Sequence, residues 1–224
     1  MLSGLLTRHP MYEYIQGMND LISPIIAIFL CEKFGMDIFQ LENNSQEIEC
    51  LLQSQDLIEI EADAFFVFSS LIEKTDRKLQ KNFVGINSLM YIFEDLIELC
   101  SPKIFGDFKA KGIEMIHFAF RWMFCLLLRE FPFFLSMKLL TYYFISQENP
   151  QEICLYFALV LLLMYQKNIL SSDRDKTIIF LQRLPTELWG FEDISMLYSE
   201  ATSLKNITRE IMIEKSFKYR EYFS

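Results

Sequence analysis

Residues 113–130 read IEMIHFAFRWMFCLLLRE, and the reading of this stretch decides the fold. It is apolar nearly all round, apart from His117, Arg121, Cys125 and Arg129, which recur at every fourth position. Side chains four apart share one helical face, so the segment predicts a core helix over about 113–130 carrying a single polar seam. A charge on so apolar an element must be paired or it is costly to bury. Asp20, Glu32 and Glu130 are the candidate partners, and Arg121, Trp122, Arg129 and Glu130 are read as structural.

The segments on either side extend the helical pattern. Asn149-Pro150 is a helix start, with Asn suited to the cap and Pro to the first turn. The apolar run behind it, Ile153–Tyr165, is thirteen residues long. A bilayer span needs roughly 20, so the run predicts a buried core helix rather than a transmembrane one. Upstream, Asn87–Cys100 repeats the helical spacing and Ser101-Pro102 is expected to stop it, with Gly106 and Gly112 framing a short polar connection. Ser45 to about Glu73 and Leu21–Phe34, the latter interrupted early by Pro24, are further helices. Downstream, Thr186 is a possible helix cap, Trp189-Gly190 closes that unit, and the tail after Thr202 predicts a last amphipathic helix. No repeat, linker or low-complexity tract divides the chain, so one domain is expected.

Composition agrees. In 224 residues 52% are hydrophobic, including 22 phenylalanines, enough for a sizeable core. Seven glycines and six prolines are too few for many tight turns, so the fold class is all-α. A formal charge of -9 and the absence of any long basic block argue against nucleic acid as a partner. Five widely spaced cysteines without CxxC fit reduced thiols buried as small hydrophobes in the cytosol. With only His9 and His117 present, and no acid or cysteine at ligand spacing beside either, a metal site or a nucleophilic triad has almost no material.

One stretch breaks the apolar pattern. Met11–Pro24 reads MYEYIQGMNDLISP, with Tyr14-Ile15-Gln16-Gly17 followed by Met18-Asn19-Asp20 and then a new hydrophobic run. As an isolated tetrapeptide it can be a helix end, with Gly17 in the left-handed position and Gln16 solvated. It can equally present Gln16 for chemistry on a partner.

Four segments in register carry a resemblance. MYEYIQGMNDLISP is similar to the YxQGM segment of the TBC domain, the all-helical module of proteins that accelerate GTP hydrolysis by Rab GTPases. EADAFFVFSSL (61–71), FAFRWMFCLLLREFPF (118–133) and LPTELWGFEDISMLYSEA (184–201) resemble three further TBC segments, closest to the branch associated with Golgi Rab proteins. The resemblance implies a multi-helix TBC domain over residues 1–224 that lacks its N-terminal helices. Its glutamine-finger loop would lie near 14–18 and its C-terminal subdomain at about 131–224. By the same resemblance Gln16 is the catalytic glutamine finger, with Tyr14, Gly17, Met18 and Asn19 supporting the loop or touching the partner.

Two departures stand out. Where the family has Leu-Trp-Asp after the REF segment, this chain has Leu139-Leu140-Thr141. The family's second finger, an arginine in IxxDxxR, precedes the glutamine; the fifteen residues before Gln16 contain no such motif, and Arg8 sits in a different setting. Arginine fingers are worth about 10³ to 10⁵ in rate, so the chain alone is expected to be nearly inactive. The resemblance therefore implies an activator, not itself a hydrolase, that needs no cofactor of its own, since GTP and magnesium would belong to the partner GTPase. The alternative is a pseudo-enzyme serving as a helical adaptor in a larger assembly. In either case apolar surface is exposed where N-terminal helices are missing, so the chain alone is expected to be aggregation-prone or to sit against another protein chain that covers that region. The expected location is cytoplasmic, peripheral to Golgi or other endomembranes.

Overall fold

The computed structural model describes residues 18–75, 83–146 and 148–223; among these it contains helices and no strand. In chain order they are α1 (Met18–Phe34), α2 (Ile38–Asn43), α3 (Ser45–Leu51), α4 (Ser54–Lys74), α5 (Phe83–Cys100) and α6 (Pro102–Lys111). Next come a 3-10 turn (Met115–His117), α7 (Ala119–Phe124) and a second 3-10 turn (Leu128–Glu130). The remainder are α8 (Phe133–Ile145), α9 (Pro150–Met164), α10 (Gln166–Ser171), α11 (Arg174–Gln182), α12 (Phe191–Lys215) and α13 (Phe217–Phe223).

The core forms around α9. Every residue from Ile153 to Leu162 is buried, as an element apolar on all faces requires. Asn149 starts it, its side-chain oxygen accepting from the Gln151 amide at 2.8 Å while Pro150 occupies the first turn. Helix α12 packs along one side of α9, and α7 and α5 cover the other. Helix α8 bridges α12 and α1, and α1 packs in turn on α4. In this frame Leu139 and Leu140 are core residues, while the exposed Thr141 returns its hydroxyl to the Met137 carbonyl at 3.0 Å.

Several boundaries differ from the sequence expectation. The helix expected from 45 to 73 is two, because Leu52 and Gln53 are extended and the Gln53 amide donates to Asp56 Oδ2 at 3.1 Å, starting α4 afresh. The polar connection expected between Gly106 and Gly112 is α6. Pro102 opens it and does not merely stop the preceding helix, while Gly112, at φ +62°, ends it in the left-handed conformation glycine adopts freely. Thr186 caps no helix; Gly190 takes that place for α12, its amide donating to Asp193 Oδ2 at 2.7 Å. The amphipathic tail begins at Phe191, well before Thr202. Cys125 and Cys154 are buried, but Cys50 is exposed and Cys31 and Cys100 are half-buried; all five are free thiols.

The largest difference falls on 113–130. A continuous helix does not form: a 3-10 turn, α7 and a second 3-10 turn replace it, and between the last two Leu126 (φ 48°) and Leu127 (φ 59°) both lie in the left-handed region. Two consecutive leucines there cost about 1–3 kcal/mol each. The surroundings hold them. Leu126, Leu127 and Leu128 are all buried; the Tyr143 hydroxyl donates to the Leu126 carbonyl at 3.0 Å; the Leu127 amide bonds the Trp122 carbonyl at 2.7 Å; Ser136 Oγ donates to the Leu128 carbonyl at 2.9 Å.

Candidate functional site

The broken segment brings its charges to a groove. Arg121, near the end of α7, faces Glu130 across the strained turn. Its Nε and Nη2 reach Glu130 Oε1 and Oε2 at 2.7 Å each, and Nη2 also donates to the Gln182 carbonyl at 2.6 Å. Burial pushes the Glu130 carboxyl above the usual carboxylate range, and the Arg121 guanidinium only partly offsets it. Thr186 donates its hydroxyl to the Glu130 carbonyl, and Gln182 Nε2 donates to the His117 carbonyl at 2.7 Å. Arg121 and Glu130 thus lock the turn to α11 and to the loop after it. His117 Nδ1 accepts from the Glu114 amide at 2.9 Å.

Arg129 points elsewhere. Its Nη1 lies 3.7 Å from Asp20 Oδ2 in the first turn of α1, and the Cys125 thiol reaches the same carboxylate oxygen at 3.9 Å. Burial first, and Asp20 second, push the Cys125 thiol up to about 12, so it stays protonated and acts as donor. Trp122 is wholly buried. Its Nε1 has no hydrogen-bond partner of good geometry, although the indole lies close enough to Glu130 to favour the ionised carboxylate. Arg121, Arg129, Glu130, Pro132, Gln182 and Arg183 line an open groove of about 630 Å³.

Of the residues singled out in the loop, Tyr14, Gln16 and Gly17 lie outside the described residues. Met18 is buried in the core as the first residue of α1. Asn19 is exposed, and its carbonyl accepts from Ser23 Oγ at 2.8 Å. Asp20 pairs with Arg129, so the start of α1 sits at the edge of the arginine-lined groove. Among the described residues no cluster of His, Cys, Asp or Glu could hold a metal ion, and no helix is long and apolar enough to cross a membrane.

Against known proteins, the family model described as the Rab-GTPase-TBC domain matches residues 2–170. The chain belongs to the Rab-GTPase-TBC domain family. TBC1 domain family member 22B of Homo sapiens is 34% identical over 205 residues, covering 88% of this chain and 38% of that protein. The GTPase-activating protein gyp1 of Schizosaccharomyces pombe is 29% identical over 206 residues, covering 90% and 38%. The crystal structure of the Ypt/Rab-GAP domain of Gyp1p superposes with a TM-score of 0.73 at 27% identity, covering 90% of this chain and 62% of that one. This TBC chain therefore spans 38% of the length of either relative and under two thirds of the solved domain. The two positive-φ leucines are a feature of this TBC chain that sequence reasoning did not reach, since leucine carries no signal for the left-handed region.

Proposed function

We propose that this chain acts on a GTP-loaded Rab-type GTPase and aids GTP hydrolysis through Gln16, with the arginine finger supplied from outside these 224 residues. In GTP hydrolysis, charge spreads over the transferred phosphoryl oxygens while a water must stand in line behind the phosphorus. The Gln16 carbonyl would accept an O–H of that water and its NH₂ would donate to a phosphate oxygen; the amide stays neutral at every working pH. Gly17 would leave the backbone free of a Cβ where the partner approaches, and Tyr14 would brace the loop. GTP and its magnesium belong to the GTPase. By this reading the chain is a single TBC unit whose C-terminal part begins at about 131.

The observation that supports this most is positional. In the sequence Gln16-Gly17 stands directly before Met18, which is buried, and Asp20, two residues on, pairs with Arg129 of an open groove. The relatives named as GTPase-activating proteins and the Rab-GTPase-TBC match support the same choice of partner. A place peripheral to Golgi or other endomembranes goes with this reading of the partner.

A second reading, a non-catalytic adaptor, is favoured by exposed apolar side chains: Phe66 on α4, Ile145 on α8, Ile207 on α12 and Leu188, the last 98% exposed. Single-turnover hydrolysis over a panel of Rab GTPases separates the two. The chain alone should leave the intrinsic rate within about tenfold, and supplying an IxxDxxR-bearing segment should add about 10³-fold or more. Binding of GTP-loaded partner without any acceleration in either arm would leave the adaptor standing.

A further inference from the structure

A track of aromatic rings runs over the joint of α2, α8 and α12. The Phe134 ring of α8 meets Phe39 of α2 on one side, at 5.0 Å between centroids, and Phe191 of α12 on the other, at 5.5 Å. Phe39 and Phe191 are each 48% exposed, and Leu188, three residues before Phe191, is 98% exposed. Local hydrogen bonds hold these side chains out. Asp37 and Gln40 cap α2 reciprocally: the Gln40 amide donates to Asp37 Oδ1 at 2.8 Å, and the Asp37 amide to Gln40 Oε1 at 2.9 Å. The turn that carries Leu188 is closed by the Trp189 amide, which donates to the Thr186 carbonyl at 3.0 Å, and by the Gly190 amide on Asp193 Oδ2. Trp189 itself packs on Phe131 at 5.4 Å. A patch ordered in advance loses little conformational entropy when a partner covers it.

Charge selects the occupant. Each exposed apolar side chain has an exposed acid close by in the chain: Asp37 before Phe39, Glu187 before Leu188, and Glu192 after Phe191. None of the three is ion-paired among the described residues. The cation of α8, Lys138, lies over the Tyr142 ring at 5.3 Å. A second copy of this chain, formally at -9 and bearing the same acids, meets the track with like charge, and so does an anionic membrane surface. A segment with Lys or Arg around its apolar side chains meets it with opposite charge. The rings are spaced by about one helical turn, 5.4 Å, so apolar side chains one turn apart on a partner helix fit beside them. We infer that the Phe39–Phe134–Phe191 track, with Leu188 beside it, docks a basic amphipathic helix of another protein. Bulky apolar residues of that helix cover the rings while its Lys or Arg face the three acids. Docking here is independent of Gln16 and of the nucleotide.

The test uses the full chain and three tryptophan-free synthetic peptides of about four helical turns. One carries a leucine stripe flanked by lysines, one the same stripe flanked by glutamates, and one the lysine peptide's composition scrambled so that no stripe forms. Of the two tryptophans, Trp122 is wholly buried and Trp189 stands between Leu188 and Phe191, so intrinsic fluorescence reports occupancy. At about 50 mM salt the lysine-flanked peptide should bind at least about tenfold more tightly than either control, and its lead over the glutamate peptide should shrink below about threefold near 1 M. Leu188→Ser with Phe191→Ser should weaken it by about tenfold or more, with melting temperatures within about 3 °C of wild type, since both side chains already stand largely in water. Glu187→Lys with Glu192→Lys should reverse the preference between the lysine and glutamate peptides. Equal binding of the scrambled peptide, affinity indifferent to the double serine variant, or no saturable binding below about 1 mM each overturns the inference. Light scattering and flotation with phosphatidylserine vesicles complete the set. A wild-type dimer that dissociates in the double serine variant would give the track to a second copy, and vesicle binding lost in that variant would give it to lipid; either result overturns the helix.

Discussion

Replacing Arg121 with methionine isolates the interaction that holds the broken core segment. Arg121 makes two 2.7 Å contacts to a carboxylate whose side chain is 2% accessible, and a third, at 2.6 Å, to the Gln182 carbonyl. Removing one partner of a buried pair costs about 3–5 kcal/mol, because the other charge is left uncompensated. The guanidinium is itself 35% accessible, so water already weakens the pair and the lower end applies, about 3 kcal/mol. For a chain of this size that lowers the melting temperature by about 6–12 °C. The loss depends on pH with a fixed sign. Burial holds the Glu130 pKa above its unfolded value, so the folded state binds the extra proton and stability falls as pH rises from the ordinary carboxylate range through the folded value. Without Arg121 the folded value moves higher and that window widens. Denaturant unfolding at pH 5 and pH 7 should therefore show Arg121→Met closer to wild type at pH 5 than at pH 7. The double variant Arg121→Met with Glu130→Met, which leaves no buried charge, should recover most of the loss. An Arg121→Met melt within about 2 °C of wild type at pH 7, or a double variant no better than the single, would refute the pairing argument.

Three other outcomes follow from the geometry. Tyr143→Phe leaves the buried Leu126 carbonyl without its donor and should cost about 1–3 kcal/mol, whereas Leu127→Gly, although it relieves a left-handed leucine, should be destabilising overall, since emptying a buried leucine site costs about 2–5 kcal/mol against about 1–3 of strain; denaturant titration of both variants checks the order. Tyr219 in α13 donates to the buried Glu152, which also accepts from Arg209 Nε at 3.0 Å, so Tyr219→Phe should cost about 1.5–3 kcal/mol and raise proteolysis of α13 first; equal cleavage rates in both proteins would count against this anchor. Burial pushes Cys125 and Cys154 up to about 12 and Cys100 to about 11, so an aromatic disulfide reagent at pH 8 should titrate the exposed Cys50 first and reach those three only on unfolding; rapid release of more than two thiols from folded protein would contradict it.

The helical class and the buried α9 were legible because all-round apolarity and the Asn149-Pro150 start are strong local signals, and no tertiary contact opposed them. Boundaries failed where the chain's own hydrogen bonds overrode spacing, as at Gln53 and at Pro102, which begins a helix just as well as it ends one. The break at Leu126-Leu127 had no sequence signal, because long-range donors from Tyr143 and Ser136 hold it. Spacing put Arg121, Cys125 and Arg129 on one seam; packing split them, giving Glu130 to Arg121 and Asp20 to Arg129. Both acids had been read as candidate partners from sequence, but which arginine each serves is settled only by the turn between them.

The most direct measurement is the single-turnover rate of GTP hydrolysis by a responsive Rab with wild-type chain and with Gln16→Ala, each completed by the same arginine-bearing segment. We predict that the substitution returns the rate to within about tenfold of the intrinsic one while binding of the GTP-loaded partner persists. Equal acceleration by the two proteins would contradict a catalytic glutamine at this position.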